Sequence, residues 1–111
     1  MDVKIWTNKV IYIIQIKGSI GLADAEKLKQ LVMKMIEKKA ERFIIDAAKI
    51  SSIESNGIGA FIYISSTAKN LGLSLEIVNV SGQVKQVIEK IKLTDYFPIG
   101  TNVEEAIRKL S

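Results

Sequence analysis

The run Phe43-Ile44-Ile45 leaves few options to the chain that contains it. Consecutive large apolar residues make both faces of a strand apolar, and such a strand sits inside a sheet that is covered on both sides. The stretches flanking it have a different period. Upstream, Ala25, Leu28, Leu31, Val32, Met35 and Ile36 recur at helical spacing between about Leu22 and Lys39. Downstream, a second helical stretch runs from Asn56 or Gly57 to Leu71, with Gly72 placed as its C-terminal cap. A buried strand at Arg42–Ala47 between two helices is the alternation that builds a parallel sheet.

The remaining elements fit around this unit. Val3–Thr7 and Val10–Lys17 are extended runs too close together for any connection but a hairpin, with its tight turn at Asn8-Lys9. Gly18-Ser19-Ile20-Gly21 breaks the second run. Leu73–Val80 alternates as a strand does. Ser81 is placed to cap a third helix with the stripe Val84, Val87, Ile88, Ile91. Tyr96-Phe97-Pro98-Ile99 reads as a short extended piece that the proline confines to an edge. Asn102, with Glu105 three residues on, predicts a capping box for a last helix with the stripe Val103, Ala106, Ile107, Leu110. The order β-β-α-β-α-β-α-β-α predicts an α/β fold: a mixed, largely parallel sheet of four to five strands with about four helices. It forms a single domain over residues 1–111.

Composition narrows the chemistry. The chain has no histidine and no cysteine, so the commonest general base, the commonest transition-metal ligand and the thiol nucleophile are all missing. Asp46 and Glu54 are expected at the two ends of the loop between the third strand and the second helix, converging on Ser55. A serine nucleophile still needs a positioned base, and no lysine is singled out by its spacing. No catalytic residue, metal ligand or cofactor is assigned, and the chain is read as not being an enzyme. The net charge is +4. Its lysines (Lys27, Lys29, Lys34, Lys38, Lys39) share the first helix with Asp24, Glu26 and Glu37, as on a solvated face. With no basic block and arginine only at 42 and 108, nucleic acid is not an expected partner. The start of the chain lacks a signal-peptide pattern, and no apolar run approaches the ~18 residues of a membrane span. The expected location is cytoplasmic, without direct membrane contact.

The stretch Glu54-Ser55-Asn56-Gly57-Ile58-Gly59 carries the functional expectation. It joins a strand to a helix start, where free backbone donors and the helix dipole favour an anion. Ser55 is expected as the helix N-cap and, beyond that, as a phosphorylation site. Gly57 and Gly59 either admit a partner's backbone or a nucleotide phosphate, or pack a tight helix start against a strand. Asp46, Ser55 and Gly57 are the candidate phosphate contacts. Ile58, Ala60, Phe61, Ile62, Tyr63 and Ile64 cover almost the whole circumference of the helix's first turns. Either this helix is largely buried or its outer face binds a partner. The candidate partner-binding residues are Glu54, Asn56, Gly57, Ile58, Gly59, Ile62 and Tyr63.

Asp46 at a strand, followed by Ile53-Glu54-Ser55-Asn56-Gly57-Ile58-Gly59, resembles the signature of the STAS domain. That domain forms bacterial anti-sigma-factor antagonists and is also found on the cytoplasmic end of sulfate transporters. The family pattern is an apolar residue, Asp, Ser, Ser or Ala, Gly, an apolar residue, Gly. Here Glu54 stands for the Asp and Asn56 for the second small residue. The segment 19–23 holds no acid where the family usually carries one. The resemblance spans nearly the whole chain, from the opening hairpin to the last helix.

The resemblance implies a switch in partner exchange. The unmodified domain binds an anti-sigma factor that is also a serine kinase. Phosphorylation of the serine matching Ser55 ends the binding, and a phosphatase restores it. The domain is then the kinase's substrate, a monomer or weak dimer without a cofactor. Two alternatives stay open: a non-switching STAS scaffold within a larger signalling complex, and a regulatory domain that binds a nucleotide or small molecule.

Overall fold

The hairpin forms as its sequence requires, with the turn one residue later than Asn8-Lys9. In the computed structural model, which describes residues 1–91 and 97–111, β1 (Asp2–Asn8) and β2 (Ile11–Ile20) pair antiparallel. Asn8 closes the turn opposite Ile11, with Lys9 in the left-handed region at φ 57°. There follow α1 (Leu22–Glu37), β3 (Arg42–Ile53), α2 (Ser55–Asn70), β4 (Ser74–Val78), α3 (Gly82–Lys90) and α4 (Val103–Leu110). The sheet order is β1-β2-β3-β4, and both the β2–β3 and β3–β4 pairs are parallel. A single bridge joins Ile99 to Ile77, with Pro98 and Gly100 exchanging backbone hydrogen bonds with Ile77. This bridge is what stands in place of a fifth strand. Tyr96 of the expected extended piece lies outside the described residues.

Both long helices end in the same way. Gly72 (φ 69°) follows α2, and its N–H donates to Lys69 O while Leu73 N–H donates to Ala68 O. Lys39 (φ 71°) takes the equivalent place after α1, with bonds from Lys39 to Ile36 O and from Ala40 to Met35 O. This doubly bonded reversal satisfies the last carbonyls and turns the chain back towards the sheet.

One face of the sheet carries the main core. Ile14, Ile16 and Ile20 of β2 meet Phe43, Ile45, Ala47, Ile50 and Ile53 of β3, and Leu28, Val32, Phe61 and Ile64 of α1 and α2 cover them. The stripe of α3, Val84 and Ile88, joins the same cluster. The other face is covered by α4 alone among the described residues. Its stripe of Val103, Ala106, Ile107 and Leu110 lies on Ile11, Ile13, Ile44 and Val78. Asn102 caps this helix, its side-chain Oδ1 accepting from Glu105 N–H at 2.9 Å. Lys109 Nζ also reaches the buried Glu76 carboxylate at 3.0 Å, an ion pair without hydrogen-bond alignment.

The largest difference from the expected elements lies at the strand ends. β3 does not stop at Ala47 but runs to Ile53, and β2 continues through Gly18 to Ile20. Between Gln15 and Ile20 the partner strand carries two extra residues, with register shifts between Gln15 and Lys17 and between Gly18 and Ser19. Ser51 and Ser52 both lie opposite Ser19, the arrangement of a β-bulge. The main-core residues of β3 are therefore Phe43, Ile45 and Ala47 at a spacing of two, then Ile50 and Ile53 at a spacing of three.

Candidate functional site

The two bulged strand ends deliver two helices to one place. Ile20 pairs with Ile53, and Glu54 N–H donates to Ile20 O at 3.0 Å. Immediately beyond, β2 passes into α1 through Gly21 and β3 passes into α2 through Glu54. The first intrahelical bonds are Ala25 N–H to Gly21 O and Ile58 N–H to Glu54 O. The amides of Leu22, Ala23 and Asp24, and those of Ser55, Asn56 and Gly57, precede these bonds and have no intrahelical acceptor. Two positive helix ends thus lie side by side.

Glu54, not Ser55, holds the N-cap position of α2, and it makes no side-chain capping bond. Its carboxylate turns towards α1 instead. A Cβ built on Gly21 lies 2.7 Å from Glu54 Oε2, so the carboxylate rests beside the start of α1 and a side chain at Gly21 would displace it. The longer side chain thereby brings a negative charge to the acid-free segment 19–23. Ser55 moves from the expected cap to the first helical residue, where it is exposed. Its neighbour Asn56 is exposed as well.

The glycines divide their roles. Gly57 is buried, and a Cβ on it sits 2.5 Å from Ile53 Cγ1, 2.9 Å from Ile20 Cγ2 and 3.1 Å from Ile20 O. Gly57 therefore packs the helix start against the strand ends, and its Cα faces the core. Gly59 has nothing within 4 Å of the same probe and faces outward.

The expected convergence of Asp46 on Ser55 does not occur. Seven strand residues separate Asp46 from Glu54, a path on the order of 20 Å. Asp46 is only 5% exposed. Its Oδ1 accepts from Ala48 N–H (3.0 Å) and Asn79 Nδ2 (2.9 Å), and its Oδ2 accepts from Gln15 Nε2 (3.3 Å). A buried carboxylate needs such donors. Asp46 is engaged in tying β2, β3 and the end of β4 together, away from the Glu54–Ser55 turn.

Helix α2 buries one face and leaves the other exposed. Ile58, Ala60, Phe61 and Ile64 are in the core, Ile62 is half-buried and Tyr63 is exposed. Ser55, Gly59 and Ile62 share the outward face at helical spacing. Tyr63 lies to the side against α1, where Lys29 Nζ stands 5.4 Å from the centre of its ring. Glu54, Ser55, Asn56 and Ile58 line a groove of about 640 Å³ whose far wall is Val87 and Ile91 of the α3 side.

The groove is held together by a residue the sequence did not single out. Gln83, in the first turn of α3, pairs with the backbone of Ile53 in both directions. Its Oε1 accepts from Ile53 N–H at 2.8 Å, and its Nε2 donates to Ile53 O at 3.2 Å. β4 pairs with β3 only as far as Asp46, so Ile53 has no strand on this side. The amide of Gln83 substitutes for one residue of a missing strand. Ser81, the expected cap of α3, holds the N-cap position without a side-chain bond. A polar residue just after a Ser-Gly turn was the available signal, and it does not by itself distinguish a clamp from a solvated side chain. Gln83→Ala orphans one donor and one acceptor at part-buried positions, and the expected loss is about 2 kcal/mol of unfolding free energy in a urea titration. Gln83→Glu keeps the acceptor but sets an oxygen against Ile53 O, and is expected to be no better.

Among the described residues, no group of three or more Asp or Glu is placed to hold a metal ion, and no helix is long and apolar enough to cross a membrane.

Comparison with known proteins places this geometry. The STAS domain profile matches residues 2–106. A candidate anti-sigma factor antagonist from Thermotoga maritima superposes with a TM-score of 0.89 at 16% identity, covering 97% of this chain and 93% of that one. The Bacillus cell fate determinant SpoIIAA, in its phosphorylated form, superposes with a TM-score of 0.78 at 16% identity, over 99% of this chain and 100% of that one. The murine anion transporter Slc26a9 contains the same fold, with a TM-score of 0.74 at 19% identity over 90% of this chain but 17% of the transporter. With its profile match, its strand order and its helix start at Glu54-Ser55, the chain belongs to the STAS domain family.

Proposed function

We propose that the chain is an anti-sigma-factor antagonist: it binds a serine-kinase anti-sigma factor when unmodified and is released when Ser55 is phosphorylated. The observation that carries this reading is the exposed hydroxyl of Ser55 at the first residue of α2, at the mouth of the groove formed with Val87 and Ile91. The site holds an exposed hydroxyl, amides without intrahelical acceptors and two helix dipoles, with the Glu54 carboxylate turned towards α1. That inventory suits a residue that receives a phosphoryl group from another protein's active site better than one that attacks a substrate. In this reading the chain is a regulatory domain. Glu54, Asn56, Ile58, Gly59 and Ile62 then form the docking surface, and Gly57 supports it from below. Tyr63 contributes at the α1 side. A phosphatase resets the modified form, and the switch operates in the cytoplasm.

The likeness to anti-sigma factor antagonists supports this reading through the fold. The test is direct. The chain is incubated with ATP and its kinase partner, and the product is mapped by mass spectrometry. One phosphate on Ser55, and none on Ser51 or Ser52, is expected. Phosphate elsewhere, or none, counts against the switch.

A second reading, a STAS module that does not switch, is favoured by one observation. The Glu54 carboxylate is already packed over Gly21 at the α1 start, where it opposes a second negative charge. Stable binding to the partner in the presence of ATP, without modification, would support that reading.

A further inference from the structure

β1 is an edge strand, and among the described residues nothing pairs with its outer side. Alternate backbone groups of the strand bond to β2, and the others point outward. Its centre is apolar: Ile5 and Trp6 are each 42% exposed. Solitary exposed apolar residues are ordinary, but two adjacent ones at the middle of an unpaired seven-residue edge make a template for another strand.

The residue pattern says which strand. An antiparallel partner related by a two-fold axis through the middle of Asp2–Asn8 sets Ile5 against the second copy's Ile5. Lys4 then meets Trp6, Val3 meets Thr7, and Asp2 meets Asn8, each pair occurring twice. The register with β2 assigns the faces. Ile5 lies beside Ile14 on the main-core side, and Lys4 and Trp6 lie beside Gln15 and Ile13 on the α4 side. Ile5 thus joins Ile5 on one face, while two lysines each meet an indole on the other, a favourable cation–π pairing. The neighbouring registers are poorer. Centring on Lys4 puts two ammonium groups directly opposite one another. Centring on Trp6 shortens the ladder to Lys4–Asn8. The central register alone uses every residue of β1.

We infer that two copies of this chain associate through β1, edge to edge and antiparallel about Ile5, into a continuous eight-stranded sheet built from two four-stranded ones. One strand pair is a small interface, so the dimer is weak, with a dissociation constant on the order of 0.1 mM. Lys4 restrains open-ended aggregation, because it tolerates only a register that gives it an indole. The association is independent of Ser55, which lies at the far ends of β2 and β3.

Cysteine cross-linking tests the register. The chain has no cysteine of its own, so a single introduced thiol reports on one position. Opposed residues of an antiparallel pair have Cα atoms about 5.5 Å apart, within reach of a disulfide. Ile5→Cys, oxidised with copper–phenanthroline, is expected to form covalent dimer about tenfold faster than Thr7→Cys, which faces Val3 of the second copy. Equal rates, or no dimer from Ile5→Cys, overturn the pairing. Sedimentation equilibrium of the unmodified chain is expected to show a mass rising towards the dimer with concentration, and Ile5→Lys a mass that stays monomeric. A monomer up to ~1 mM for the unmodified chain overturns the association itself.

Discussion

Gly57→Ala lowers the melting temperature by about 8 °C, whereas Gly59→Ala, two residues on, raises it by about 3 °C. The two glycines share a helix and a motif, and their opposite signs come from what each faces. A methyl group at Gly57 meets Ile53 Cγ1 at 2.5 Å, Ile20 Cγ2 at 2.9 Å and Ile20 O at 3.1 Å. Both isoleucine side chains can rotate only within a closed core, where they are 0% and 3% exposed for Ile20 and Ile53. The carbonyl oxygen belongs to the strand pair and cannot rotate away. Overpacking of this kind costs up to about 3 kcal/mol, and the better helix propensity of alanine returns about 1, for a net loss of about 2 kcal/mol. At Gly59 the same methyl group meets nothing within 4 Å. Only the propensity gain of somewhat under ~1 kcal/mol remains. Thermal unfolding followed by circular dichroism separates the two. Equal shifts would mean that α2 does not seat on the Ile20–Ile53 pair.

Ser55→Asp is expected to weaken binding to the serine-kinase partner about a hundredfold, or ~3 kcal/mol, while Ser55→Ala leaves it within a few-fold. The aspartate adds a charge beside Glu54 on the surface proposed for the partner. The adjacent helix ends favour it in the free chain, so the variant is expected to fold and melt normally. In the complex the same charge is desolvated next to a carboxylate already packed over Gly21. Titration calorimetry with each variant reads the difference. An Asp variant that binds as tightly as the unmodified chain would show that partner choice is not set by charge at this position.

The sequence made the helices and the middle of each strand legible, because there the period and the burial agree. The stripes of α1 and α4 and the run Phe43-Ile44-Ile45 lie where their spacing puts them. The ends of β2 and β3 were not legible, for a physical reason. A strand is recognised by a period of two, and the bulges replace it with Ala47, Ile50 and Ile53 at a period of three. Lys49, Ser51 and Ser52 between them are polar because α4 leaves this part of the sheet open to solvent. Polar residues at an irregular spacing look like a loop. A loop in place of this strand end would bring Asp46 near Ser55; the strand holds them apart. The apolar circumference of α2 leaves burial and partner binding both open; Ile58, Phe61 and Ile64 pack against the sheet, while Ile62 is half-buried and Tyr63 exposed. The Gln83 clamp depends on where β4 ends, which periodicity does not give to the residue.

β4 stops at Val78, opposite Asp46, and leaves the last seven of the twelve residues of β3 paired on one side only, but for Gln83 at the tip. Backbone hydrogen bonds with solvent on one flank and few apolar neighbours open more readily than those at the middle of a sheet. The chain is therefore a graded object. Its centre, from Phe43 to Asp46, opens only when the whole domain unfolds. The strand tip before Glu54 and Ser55 is held on one side by β2, as far as the Ile20–Ile53 pair, and on the other by Gln83 alone, so it opens at lower cost than the centre. On the proposed reading, a kinase that takes Ser55 within an extended segment would work from this less firmly held end of the sheet.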